Sequence, residues 1–131
     1  MVSRSVNYAI NRLKVDPIYK FRINTRSSIL KIFKDNGYTK SKKTEEILCI
    51  SILEFVNYIE SKFEDWMTWE NRGLYNGELN YGWDIDHIIP LSSVNSEEEI
   101  IKLNHYSNLQ PLCSFINRNV KRDRLDYEKT R

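Results

Sequence analysis

The residues best suited to chemistry lie in Trp83-Asp84-Ile85-Asp86-His87-Ile88-Ile89-Pro90, where an acid–histidine pair interrupts an apolar run. The chain has only two histidines, and one of them stands here. A carboxylate can hold a cation, and an imidazole with an ordinary pKa of about 6.5 accepts a proton at neutral pH. In a strand Asp84 and Asp86 share one face, and His87 points to the other. Asp86 and His87 therefore reach one substrate only where the strand twists or ends, and Pro90 stops the ladder close by. Taken alone, such a pair is more often structural than catalytic. Further along, Asn108 in "NLQPL" and Asn117 with Lys121 in "NRNVK" add amide oxygens and a cation.

These side chains need elements to position them. Residues 3–14 read as a short basic helix ending before Asp16-Pro17, because the residue before proline disfavours the helical region. Ile18, Phe21, Ile29, Ile32 and Phe33 mark an amphipathic helix over 18–34, closed by Asn36-Gly37. Thr44 opens a short helix with acids in its first turn. Ser51 and Glu54 have capping-box spacing, and Ile52, Phe55, Val56, Ile59 and Phe63 predict a helix over 52–63. Cys49, just before it, reads as a small buried hydrophobe. The segment 65–82, with three glycines and two tryptophans, reads as an aromatic-pinned connector. A strand follows over 83–89. Ser96 and Glu99 cap a helix to about Leu103, a brief extended piece surrounds Leu109, and a last helix runs over 114–122. Trp66, Trp69 and Trp83 belong to the core, Asp84 to a strand face, and His105 to a structural role beside the loop.

Charge is segregated more than the net +2 implies. Residues 1–43 carry eleven Lys/Arg against two acids, 44–110 carry three against thirteen, and 111–131 carry six against three. Basic ends around an acidic middle fit a polyanion partner and a cation-binding centre. Arg22, Arg26, Lys31, Lys40, Lys42 and Lys43 are the candidate contacts to the backbone of such a polyanion, the alternative being ordinary solvated helix faces. Cys49 and Cys113 match no paired-cysteine metal spacing, and two free thiols point to a reducing compartment. No run of 18 apolar residues spans a membrane, and the N-terminus lacks an apolar signal core. The cytoplasm is the expected compartment.

With these residues assembled, the sequence resembles the HNH nucleases of the ββα-metal fold. The match is carried by "W-x-I-D-H-I-x-P" at 83–90, "NLQPL" at 108–112, and the asparagine and lysine of "NRNVK" at 117–121. Upstream, "MTWEN" at 67–71 is similar to the lead-in of a phage- and intron-associated group. The similarity covers 51–123, is looser over 22–50, and says nothing of 1–20.

The resemblance implies roles. Asp86 would be a metal ligand and Asn117 the second, where many relatives carry histidine. So sparse an oxygen-donor pair suits one Mg²⁺ or Mn²⁺ ion. His87 would be the general base that activates water, and Asn108 would pin the loop between strand and helix and orient His87. Lys121 would face a phosphate, with Arg118 and Arg122 as further DNA contacts. Asn117 and Lys121 are one residue further apart than is commonest, which leaves open whether Lys121 or Arg118 meets the phosphate, and whether Asn119 substitutes as ligand. Many relatives hold a structural zinc with two Cys-x-x-Cys pairs. Here Cys113 occupies one such position, but Ile116 stands where its partner would be, so no structural zinc is expected.

The expectation is an α+β protein: a mostly helical, basic N-terminal part (1–70) followed by a ββα-metal finger (71–131). Its function would be a divalent-metal-dependent DNA endonuclease, nicking one strand per site. A homodimer or phage packaging proteins are the further partners implied, in the bacterial host cytosol if phage-encoded. The alternatives are an HNH-like DNA-binding or terminase-accessory module that does not cut, and a nuclease acting on branched DNA or RNA.

Overall fold

Asp16 opens the first described helix: its carboxylate accepts the Tyr19 N–H at 3.0 Å, with Pro17 as the first helical residue. The computed structural model describes residues 16–123. The helix expected over 3–14 lies outside them. In chain order the elements are α1 (Pro17–Asp35), α2 (Thr44–Leu48), α3 (Ile52–Ser61), β1 (Trp83–His87), α4 (Glu97–Leu103), β2 (Leu109–Cys113) and α5 (Ser114–Ile116). The last helix widens into a π-helical turn over Asn117–Lys121. The chain is therefore α+β: helices around a two-stranded antiparallel sheet.

Local chemistry accounts for the boundaries. Gly37 ends α1 in the left-handed region (φ 82°). Ser51 caps α3 by accepting the Glu54 N–H at 3.1 Å, and Ser96 caps α4 by accepting that of Glu99 at 3.2 Å. Glu45 of α2 reaches forward to take the Ile52 N–H at 2.7 Å, which sets α2 against the start of α3. Cys49 departs from its expectation. It is exposed and caps α2 in a left-handed conformation (φ 66°), because α2 lasts barely more than a turn before the chain reverses into α3.

One core serves the whole described chain. Phe21, Ile29 and Phe33 of α1 meet Phe55, Val56 and Ile59 of α3, and the cluster continues through Trp69 and Trp83 to Ile100 and Leu109. Phe21 stacks on Phe55 at 5.8 Å, and Trp69 meets Trp83 edge-on at 5.6 Å. The connector is pinned as its aromatics implied. Trp69 Nε1 donates to Glu60 at 2.7 Å, and Trp83 Nε1 donates to the Thr68 carbonyl at 2.6 Å. Gly82 permits the return of this segment: a Cβ there would lie 1.9 Å from the Leu74 carbonyl oxygen.

The sheet aligns Trp83 with Cys113, Asp84 with Leu112, Asp86 with Gln110 and His87 with Leu109. β1 ends at His87, two residues short of the expected strand. Beyond it the Ile88 N–H turns to the Asn108 carbonyl at 2.8 Å and the Ile89 N–H to the Asn108 side chain at 2.8 Å.

Candidate active site

The end of β1, the segment that leaves it and the π-helical turn after α5 converge on one hollow. Asp86, His87, Pro90, Leu91, Asn117 and Arg122 line it, around a volume of about 200 Å³. Asp86 and His87 both line it, and His87 also lines a second cavity of about 230 Å³ with Phe21, Asn104 and Leu109, on the side where its ring meets Asn104.

Asp86 is 4% exposed and held on both carboxylate oxygens. Gln110 Nε2 donates to Oδ2 at 2.9 Å, and Lys121 Nζ lies 3.0 Å from Oδ1. Gln110 is the cross-strand partner of Asp86, so its contact follows from register alone. Lys121, one of the two residues expected to meet a phosphate, is 1% exposed, and its ammonium also donates to the His87 carbonyl at 2.9 Å. The π-helical turn is the physical reason. The Arg122 N–H bonds to the Asn117 carbonyl at 3.0 Å, five residues back, so the turn absorbs the extra residue between Asn117 and Lys121. Lys121 is thereby carried under the strand.

The His87 imidazole contacts a residue that sequence reasoning missed: Nε2 lies 2.8 Å from Oδ1 of Asn104, which is itself 1% exposed. Burial pushes the His87 pKa below its usual value, against the opposing pull of the Asn104 hydrogen bond and the Asp86 charge, while the Lys121 ammonium lowers it further. A neutral ring at physiological pH is the outcome. The only sequence signal for Asn104 is its place just past α4, where asparagine is a common helix stop. Asn108 is expected to pin the loop and orient His87. Its amide accepts the Ile89 N–H and donates to the carbonyls of Ile89 (3.1 Å) and Leu103 (2.8 Å). It thus fixes the backbone that leaves His87, whereas the ring itself is bonded by Asn104.

Asn117 lies partly buried on the hollow's rim beside Arg122, which is exposed. Arg118 is half exposed, 3.9 Å from Asp84 and 4.2 Å above the Tyr75 ring. Asn119 points its amide to Tyr75 and to the Phe115 carbonyl, at 3.2 and 3.0 Å, so it is engaged there rather than at Asp86. His105 caps the turn before Asn108, bonding Ser107 through Nδ1 at 2.8 Å and stacking on Tyr106. Of the basic set from the N-terminal part, Arg26, Lys31, Lys42 and Lys43 are exposed, Lys40 and Arg22 are partly buried, and Lys31 pairs with Asp35 one turn on. None of these six lines the hollow.

Among the described residues no three His, Cys, Asp or Glu side chains group as metal ligands, and the candidate donor set mixes one carboxylate with one amide. No helix among them is long and apolar enough to cross a membrane.

The chain is similar to two proteins of Acanthamoeba polyphaga mimivirus. It is 36% identical over 117 residues to the uncharacterized protein L426, matching 88% of this chain and 47% of the relative. It is 33% identical over 119 residues to the uncharacterized protein L246, matching 89% of this chain and 48% of the relative. The chain thus spans about half the length of the curated relatives it matches. No family model matches the sequence, and no solved structure matches it.

Proposed function

We propose that this chain is a metal-dependent endonuclease of the HNH, ββα-metal type that hydrolyses phosphodiester bonds in DNA. One observation carries the reading. Asp86, His87 and Asn117, from the end of a strand and from the last helical turn, line a single hollow. The described order of β1, a loop bearing Asn108, β2 and a following helix supports the reading as a finger of the kind the sequence resembles.

The donor chemistry fits a hard divalent ion. Asp86 and Asn117 both offer oxygen, and each Asp86 oxygen retains a lone pair after bonding Gln110 and Lys121. Asp86 and Asn117 would hold Mg²⁺ or Mn²⁺, which when bound supplies charge neutralisation at the scissile phosphate and stabilises the leaving oxygen. The residues of the chain do the rest. His87, neutral and shielded, takes a proton from the attacking water. Asn108 keeps the loop after His87 from drifting. Arg122 at the rim is placed to pair with a phosphate, and the exposed Arg26, Lys42 and Lys43 extend a basic surface for the DNA backbone. A single site per chain cuts one strand at a time, so nicking is the expected product. A homodimer would be required for concerted double-strand cleavage.

One observation favours a second reading. Both Asp86 oxygens are already engaged within the protein, as they would be in a DNA-binding module where the acid is only structural. A supercoiled-plasmid assay with Mg²⁺ or Mn²⁺ separates the two. The nuclease should produce nicked circles, His87→Ala should lose about 10²–10⁴-fold, and Asp86→Asn and Asn117→Ala should be strongly impaired. Cleavage that survives in all three variants, or wild type that cuts with neither metal, would sink the nuclease reading. Branched DNA and RNA run beside the plasmid identify the preferred substrate.

A further inference from the structure

Water activation by His87 requires one ring nitrogen to keep a free lone pair, and the surroundings of Asn104 determine which. We propose that Asn104 is a positioning residue that holds His87 in its Nε2–H tautomer and so leaves Nδ1 as the proton acceptor. The inference rests on the nuclease reading of this site and extends it.

The argument begins with the orientation of the Asn104 amide. Its Nδ2 donates to the Ile100 carbonyl at 2.8 Å. Exchanging O and N would set the amide oxygen against that carbonyl, two acceptors at hydrogen-bond distance inside a site that is 1% exposed. Oδ1 is therefore the atom 2.8 Å from His87 Nε2. An acceptor there demands a donor, so Nε2 carries the hydrogen. In a neutral imidazole the other nitrogen then holds the lone pair. The backbone of Asn104 is equally fixed, because its N–H closes α4 on the Ile100 and Ile101 carbonyls at 3.2 Å. Asn104 and Asn108 thus hold successive points of one segment. The first holds the His87 ring, and the second holds the chain just after it.

The tautomer can be read directly. Long-range ¹H–¹⁵N correlation spectra of the full ¹⁵N-labelled chain, at a pH where the rings are neutral, should show His87 as Nε2–H. His105→Gln assigns the two ring systems. Asn104→Gln, which keeps both the amide acceptor and the amide donor, should retain the pattern. Asn104→Leu should shift His87 toward Nδ1–H and lower plasmid nicking by about 10- to 10³-fold, with the circular dichroism of the wild type. Nδ1–H in wild type, or a folded Asn104→Leu with an unchanged tautomer, would overturn the proposal. Should Asn104→Leu fail to fold, the wild-type and Asn104→Gln spectra decide it, and Nδ1–H in either overturns it. A tautomer that responds as stated in a protein that nicks no DNA would remove the nuclease reading and leave the assignment intact.

Discussion

At the scale of single residues, the most consequential finding concerns Lys121. A lysine near the end of a basic chain is ordinarily a solvated point charge, yet this one is buried against Asp86 and the His87 carbonyl. Two charges taken out of water stabilise a fold only while each has its partner, and removing one leaves the other uncompensated. Lys121→Met keeps most of the side chain's volume and removes the charge. It should lower unfolding stability by about 3–5 kcal/mol in urea titrations. Lys121→Met combined with Asp86→Asn should recover much of that loss. A single variant as stable as wild type would show the pair to be immaterial. The same pair bears on metal binding, since the Asp86 carboxylate that would serve as ligand is already neutralised by a resident ammonium.

At the scale of elements, the site depends on how strands end. β1 carries Asp86 and His87 at its end, and Asn108 takes over the backbone groups that a longer ladder would have used. The connector before β1 is equally constrained. Gly82 passes so close to Leu74 that a Cβ would sit 1.9 Å from its carbonyl oxygen, and the Gly82 carbonyl accepts the Ser114 N–H at 2.8 Å at the start of α5. A backbone atom cannot swing aside as a flexible side chain would. Gly82→Ala should therefore cost about 1–3 kcal/mol, as overpacking does, and should perturb α5 and Asn117 with it. Thermal unfolding of Gly82→Ala checks the first part, and amide shifts of Ser114–Ile116 check the second. Unchanged values would mean that the close approach is relaxed in solution.

At the scale of the whole molecule, the helical part and the sheet share a core, with Phe21 of α1 at 6.4 Å from Trp83 of β1. The exposed basic residues of α1 and of the 40–43 loop are therefore carried on the body that holds the hollow. If they contact the DNA backbone, affinity should fall steeply with salt, because each phosphate contact releases counterions. Replacing Lys40, Lys42 and Lys43 together by alanine should weaken binding about equally for all sequences and flatten the salt dependence, as read by fluorescence anisotropy. A triple variant with wild-type affinity and salt slope would place the DNA elsewhere.

Much of this was legible in the sequence, for definable reasons. Helix spacing and caps located α1, α3 and α4 because apolar periodicity and Ser51 or Ser96 act over three to four residues. The aromatic connector and the strand at Trp83 followed from composition, and the candidate set Asp86, His87, Asn108 and Asn117 from the resemblance to a family motif. The contacts that join those pieces are not local. Asn104 reaches His87 across 17 positions and Lys121 reaches Asp86 across 35, and no propensity or period encodes either distance. The sequence by itself determined which residues can do chemistry. Only the tertiary structure decided that Lys121 is buried against Asp86 and that Asn104 meets the imidazole, because burial is set by how elements pack and not by the residues within them.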